Sequence, residues 1–309
     1  MALRLVGRVD LPAHAGPGGF DHAAIDRRTQ RLYVAHTAND AVDVIDSARD
    51  VHVGSLGGLT AVAGALVAEY RRLAFTSNRG EDSVSVFALE GDDARPLARV
   101  AVGVRPNGLA FDPARGTLVA ANVGDPARPG SFTLTVVDAA AGAVRGSIPV
   151  PGRTRWAVHD PATDCFFVNI ADPAVIVVVA AGDPTRVAAT YPVPAAGPHG
   201  LDLDPGRGRL YCACDAGRLV ALEAKTGRVL DEVALSGAPD VIFLDAGRER
   251  LYVAVGDPGV IDVIDTGAMT QVERVATEPG AHTTALDVDR RRLYVFLPES
   301  HRAAVFVDD

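Results

Sequence analysis

No stretch of eighteen consecutive apolar residues occurs in this chain of 309 residues, so no membrane-spanning helix is expected. Cysteine is scarce. Of the three present, Cys212 and Cys214 lie two apart on one predicted strand and share a face, a poor geometry for a bridge. Cys165 lies on the matching strand of the preceding blade, and all three read as small buried residues of a reducing compartment. Nucleophile elbow, phosphate-cradling glycine loop, His-Glu-x-x-His pair and Cys-x-x-Cys pair are all missing. Their absence removes the usual support for covalent serine or cysteine catalysis and for haem attachment. The opening residues, Met1 to Asp10, lack a continuous apolar segment and read as a strand. A cytoplasmic location is expected, or a periplasmic or secreted one if a leader preceded Met1.

What is present is ordinary in amount and unusual in arrangement. A hydrophobic share of 48% is ample for a core, and a charged share of 22% argues against disorder. The net charge of −9 argues against nucleic acid or an anionic membrane as partner. One phrase then recurs along the chain, an aspartate-led turn followed by a Leu-Tyr-Val strand. Asp26 leads to Tyr33, Asp112 to Val119, Asp160 to Phe167, Asp204 to Tyr211, Asp245 to Tyr252 and Asp287 to Tyr294, always with an offset of seven. A degenerate copy, Val67 to Ala74, fills the remaining gap, and the copies recur every 41 to 48 residues. That period belongs to four-stranded propeller blades.

The expected fold is therefore all-β: one seven-bladed β-propeller over 1–309, with blades starting near 21, 62, 107, 155, 199, 240 and 282. The last predicted strand ends at Asp308, which leaves blade seven short of an outer strand. Residues 1–10 are expected to supply it and close the ring, removing an open edge. No helix of any length has room in this pattern, and a closed ring is expected to be a monomer.

The strand words Leu32-Tyr-Val-Ala35, Leu210-Tyr-Cys-Ala213, Leu251-Tyr-Val-Ala254 and Val119-Ala-Ala-Asn122 resemble the YVTN-type propeller repeats over essentially the whole chain. Only blade three keeps that family's terminal Asn on this reading, with His36, Ser77, Ile170, Cys214, Val255 and Leu297 in its place elsewhere. The resemblance implies the fold and says little of activity, because propellers host many unrelated functions.

Function has one natural place in such a fold, the axis. Counting back five residues from each lead position gives Asp21, Val62, Asn107, Arg155, His199, Asp240 and His282. Six of the seven are polar, and all should rim one mouth of the channel. His199, Asp240, His282 and Asp21 fall on contiguous blades and together have the chemistry of a divalent metal site such as Zn, Fe, Mn, Ni or Mg. Asn107 and Arg155 across the channel could hold a carboxylate or oxyanion, with Trp156 and His22 adjacent and His36 on a loop of the same face. Without metal, His199 or His282 could serve as a general base, and a merely water-filled channel is the plain alternative. The stretch Gly197-Pro198-His199-Gly200 resembles the Pro-His-Gly phrases of virginiamycin B lyase-like propellers. Arg105-Pro106-Asn107-Gly108 is a variant and Gly280-Ala281-His282 a weaker one. That resemblance implies a metal at the mouth and a histidine acting in ring-opening elimination, carried over to His199 and to His282.

Other loops of the mouth face carry Asn39, Asp40, Asn78, Arg79, Asn169, Asp172, Asp215, Asp257 and His301, each read as turn chemistry. The Pro- and Gly-rich loop 122–131 could overhang the mouth as a lid. Arginines of the opposite face, among them Arg27, Arg71, Arg115, Arg207, Arg250 and Arg292, could dock an acidic protein partner or simply be solvated. Two functions remain open at this point. One is a metal-assisted lyase or hydrolase of a small carboxylate- or lactone-type molecule at the channel mouth. The other is a non-catalytic propeller that binds a protein partner or a small ligand.

Overall fold

The computed structural model describes residues 3–91 and 93–309. They form seven four-stranded antiparallel sheets arranged as a ring, each sheet built from four consecutive strands except the last. In blade seven the order is Leu3–Asp10, Arg302–Asp308, Arg292–Leu297, Thr283–Asp287, so the N-terminal strand does complete the ring. Its pairing with Arg302–Asp308 contains a bulge between Leu5 and Gly7. One extra residue flips the face presented to the neighbours. Leu3 thus packs into the cluster between blades six and seven, whereas Val9 packs into the one between blades seven and one. A single strand closes both junctions.

The core is not one mass. Seven hydrophobic clusters exist, and each joins two adjacent blades; Val119 and Leu134 of blade three, for example, meet Phe166 and Val177 of blade four. No blade can bury its faces alone, which is why the repeats must stack and close. Besides strands, the described residues contain only two single 3-10 turns, Thr37–Asn39 and Glu69–Arg71. No helix among them is long and apolar enough to cross a membrane.

The lead aspartates are buried and hold their own turns. Asp112 Oδ1 accepts the Ala114 N–H at 2.8 Å and Asp160 Oδ1 accepts the Ala162 N–H at 2.9 Å. Asp204, Asp245 and Asp287 accept in the same way from the residue three places on. These are Asx turns, and they explain the spacing read from the sequence.

Blade two has no such aspartate, and there the sequence register is one residue off. Ala68, not Val67, pairs with the start of the second strand, as Asp26 and Asp112 do in their blades. The ring place of blade two is accordingly Ala63. Val62 is fully buried in the cluster between blades one and two, and its carbonyl accepts the Thr37 hydroxyl at 2.6 Å. The same shift makes Asn78, rather than Ser77, the strand-terminal residue. Asn78 Nδ2 donates to Ser83 and Ser85 hydroxyls at 2.9 Å, as Asn122 Nδ2 does to Thr133 and Thr135. Two blades, not one, carry the terminal asparagine.

Arginines of the turn face stitch blades together rather than standing free. Arg27 bonds Glu69, Arg72 bonds Asp26, Arg115 bridges Asp112 and Asp164, Arg207 meets Glu249, and Arg292 bonds Asp50.

Candidate functional site at the channel mouth

The inner strands begin at the mouth. In blades one, three, four, five and six their pairing slips within the first four residues: Phe20 pairs with His36, but Ala23 pairs with Val34. Three steps on the inner strand match two on its partner, a bulge that re-aims side chains. Neighbouring inner strands also come close here. A Cβ on Gly108 would lie 2.4 Å from the Arg155 carbonyl, and one on Gly200 would lie 2.3 Å from the Asp240 carbonyl. Only glycine permits that approach, which holds the ring residues at fixed heights.

Six of the seven expected ring residues, Asp21, Asn107, Arg155, His199, Asp240 and His282, line one cavity of about 230 Å³. Blade two contributes Arg79 instead, from just beyond its second strand. Arg79 donates to Asn107 Oδ1 at 2.6 Å and to Asp21 Oδ2 at 3.2 Å. Two further arginines, Arg105 and Arg153, line the same cavity. The guanidinium groups of Arg105 and Arg153 have no hydrogen-bond or ion-pair partner among the described residues. Burial, then the charges of Arg155, Arg105 and Arg79, push the Arg153 guanidinium below its ordinary value. Sequence reading placed Arg79 in a turn and missed Arg153. The signal existed: two residues before the ring place, five blades have Gly or Ala, whereas blades three and four have Arg105 and Arg153.

His199 is braced by two carboxylates. Its Nδ1 lies 2.7 Å from Asp215 Oδ1 and its Nε2 lies 3.1 Å from Asp240 Oδ1. Arg155 Nη1 also lies 3.1 Å from Nε2, and its charge opposes protonation there. Burial opposes the charged imidazole, but the Asp240 charge and the bonds to Asp215 and Asp240 outweigh it, raising the His199 pKa to about 9. Asp240 responds in kind: burial works against its charge, yet His199 and then His282 hold it well below the usual carboxylate range. At neutral pH His199 is an imidazolium with a proton on each nitrogen. His282 differs, since its Nδ1 lies 2.7 Å from the Gly280 carbonyl and must donate to it. Its Nε2 sits 3.9 Å from Asp240 Oδ2.

As placed, these four residues do not fit a resident divalent metal. Among the described residues, one ligating atom from each of three groups comes within 4.8 Å only for Asp112, His159 and Asp164. There Arg115 already bridges the two carboxylates at 2.7 to 2.9 Å. At the mouth both His199 nitrogens are occupied by carboxylates, Asp21 is held by Arg79, and a guanidinium stands where a metal would approach Nε2. Five positive groups, the four arginines and His199, face three carboxylates, Asp21, Asp215 and Asp240. On an acidic protein the mouth is locally cationic.

Three expected contacts lie elsewhere. His36 is fully buried, its Nδ1 2.7 Å from Asp43 Oδ2 and its ring against Phe20 and His14. It takes no part in the mouth. His22 and Trp156 follow Asp21 and Arg155 but line a second cavity further down the channel, where their ring centroids are 4.0 Å apart. They come from blades one and four, so their contact crosses the axis and divides the channel. Regular alternation would turn His22 away from the axis; the bulge keeps both members of each pair on it. Of the long loop 122–131, Val123 reaches the mouth cavity.

The sequence matches no protein family and no curated protein. A solved Kuenenia stuttgartiensis hydrazine synthase chain superimposes over 97% of this chain and 96% of its own, with a TM-score of 0.82 and 16% sequence identity. At that identity the likeness shows the fold alone, and the fold is a seven-bladed β-propeller of four-stranded antiparallel blades.

Proposed function

We propose that the mouth binds a small carboxylate-bearing molecule and acts on it, without a metal, by acid–base elimination or lactone opening. The observation that carries this reading is the braced imidazolium of His199 in a cavity lined by four arginines, two of them unpaired among the described residues. The cavity of about 230 Å³ has room for roughly eight waters, hence for a compact organic acid. The guanidinium groups of Arg105 and Arg153 take the substrate carboxylate, and their planar shape suits it well. Asn107 and Arg155 flank the reacting end.

The two histidines have distinct parts. His282 presents an acceptor nitrogen and takes the proton alpha to the carboxylate, and Asp240 stabilises the imidazolium so formed. His199 gives its Nε2 proton to the departing oxygen as the beta C–O bond breaks and the C=C bond forms. Asp215 on Nδ1 fixes the ring orientation throughout. For a lactone the same elimination opens the ring and leaves both halves in one product. Asp215 and Asp240 supply the protonated form that the acid role of His199 requires.

Isothermal titration at pH 7 with lactate, succinate and citrate, beside their amides, tests the binding half. Carboxylates should bind at millimolar affinity or better, and Arg153→Ala and Arg155→Ala should each weaken them about tenfold, the worth of one charge-assisted bond. A screen of beta-substituted acids and lactones, with His199→Gln and His282→Gln as controls, tests the chemistry. Binding without turnover would favour the ligand-binding propeller; equal affinity for acids and amides would sink both halves.

A further inference from the structure

The larger cavity of the channel is not the one with the acid–base chemistry. Below the His22–Trp156 contact lies about 600 Å³ of space open toward the turn face, and its exposed lining is mostly apolar. In five blades its walls include the residue two places before the lead position, Ala24, Leu66, Ala110, Val158 and Phe243, and blade seven adds Leu286 and Val288. Blade five breaks the series with Asp202. Asp202 thus stands among apolar side chains, and the other carboxylate of the lining, Glu69 at the rim, is paired with Arg27.

Asp202 is anchored but not neutralised. Its Oδ1 accepts the Leu203 N–H at 2.8 Å and its Oδ2 accepts the Leu244 N–H of the next blade at 2.7 Å. No cation pairs with it among the described residues. The arginines nearest the cavity rim are engaged elsewhere, Arg27 with Glu69 and Arg71 with the Pro113 and Ala114 carbonyls. Loss of water around it, opposed by those two N–H bonds, leaves the Asp202 pKa raised to about 6. At neutral pH it is still an anion, in surroundings that favour a charge partner. The cavity also offers the faces of Trp156, Phe243 and Phe111, which attract an organic cation as well as an apolar body.

We infer that the lower channel is a second ligand site, for a hydrophobic amine whose ammonium pairs with Asp202 and whose apolar body lies against Trp156 and Phe243. The plain structural role of Asp202, stapling two inner strands through Leu244, accounts for its two hydrogen bonds. It does not account for a solvent-open apolar cavity of this size around a carboxylate. The site is separate from the mouth, because the His22 and Trp156 rings stand between them.

Trp156 is the only tryptophan, so its emission reports this cavity directly. Intact protein is titrated with phenethylamine and hexylamine, and with the matched neutral alcohols. The amines should change Trp156 emission and bind at least tenfold tighter than the alcohols at pH 8, and that preference should vanish at pH 4.5. Asp202→Asn should remove it too. Ala24→Phe, which fills the cavity from a half-buried position without deleting a contact, should abolish binding while thermal stability is kept. Arg153→Ala should leave amine binding untouched, which separates this site from the mouth. Equal affinity for amine and alcohol, or amine binding that survives Ala24→Phe, would overturn the assignment, as would no response to millimolar amine.

Discussion

His199 should titrate far from its ordinary value, and Asp240→Asn should undo most of that displacement. A rise from 6.5 to about 9 corresponds to roughly 3 kcal/mol of preferential interaction with the imidazolium. The sign follows from linkage. A raised folded-state pKa contributes stability that is fully present below about pH 6.5 and is lost as the pH climbs through 9. Asp240 supplies the largest favourable part, as a charge and through the 3.1 Å bond to Nε2. Asn in its place keeps an acceptor but removes the charge, while burial and Arg155 continue to oppose protonation. The His199 pKa should then fall by on the order of two units, whereas Asp215→Asn should lower it by about one.

Proton NMR of the imidazole C–H signals decides this, since only eight histidines must be resolved and His199→Gln identifies the signal. The same linkage is visible in unfolding. Between pH 6.5 and 9.5 the wild type should lose roughly 3 kcal/mol more than His199→Gln does. If His199 titrates near 6.5 in the wild type, the mouth holds a neutral imidazole and the proton donor of the proposed reaction is absent. If Asp240→Asn leaves a high pKa in place, the bracing is misassigned.

Further consequences are simpler to read. Removing residues 3–10 uncovers the partners of Leu3 and Val9, about 3 to 6 kcal/mol from apolar burial alone, and exposes a long strand edge. That loss rivals the whole stability of a typical domain, so circular dichroism melts should show no cooperative transition, and a shift of a few degrees would refute the closure role. Gly200→Ala drives a Cβ toward the Asp240 carbonyl, so carboxylate affinity should fall while the global melt moves by only about 1 to 3 kcal/mol. Prolonged treatment with EDTA should leave carboxylate affinity within twofold; a tenfold loss restored by zinc would put a metal at the axis. Cys212 and Cys214 are buried with sulfurs 3.8 Å apart, and burial holds the Cys212 thiol well above its ordinary value. Native protein should therefore expose at most Cys165 to a thiol reagent, and three thiols should appear only on unfolding.

Blade number and closure were legible because each rests on local chemistry that repeats. A lead aspartate that accepts its own turn N–H groups stamps a fixed offset on every blade that has one. Blade two lacks it, and nothing local told Val67 from Ala68; only pairing with Leu73 does. The offset of five found the mouth residues for the same reason, since the inner strand has constant length between mouth and turn. What alternation could not give was direction. A bulge near the start of an inner strand costs one residue and leaves no mark in the hydrophobic pattern, yet it decides where His22 and Trp156 point.

That bulge is also what allows one short strand to serve two sites. Asp21 and Arg155 face the mouth, while the very next residues, His22 and Trp156, face the cavity below. In a regular strand the second of each pair would enter the packing between blades, as Leu201 and Ile242 do a little further along. The axis would then be one open channel lined by a polar rim and small residues. With the bulge, two large rings meet across it and separate a cationic mouth from a mostly apolar chamber whose wall carries Asp202. Replacing Trp156 with Ala should therefore join the two spaces. Amines should then lose affinity for want of a wall, and the mouth should lose its preference for compact acids because its floor has opened. If carboxylate selectivity is unchanged in Trp156→Ala, the ring contact does not divide the channel, and the two cavities function as one.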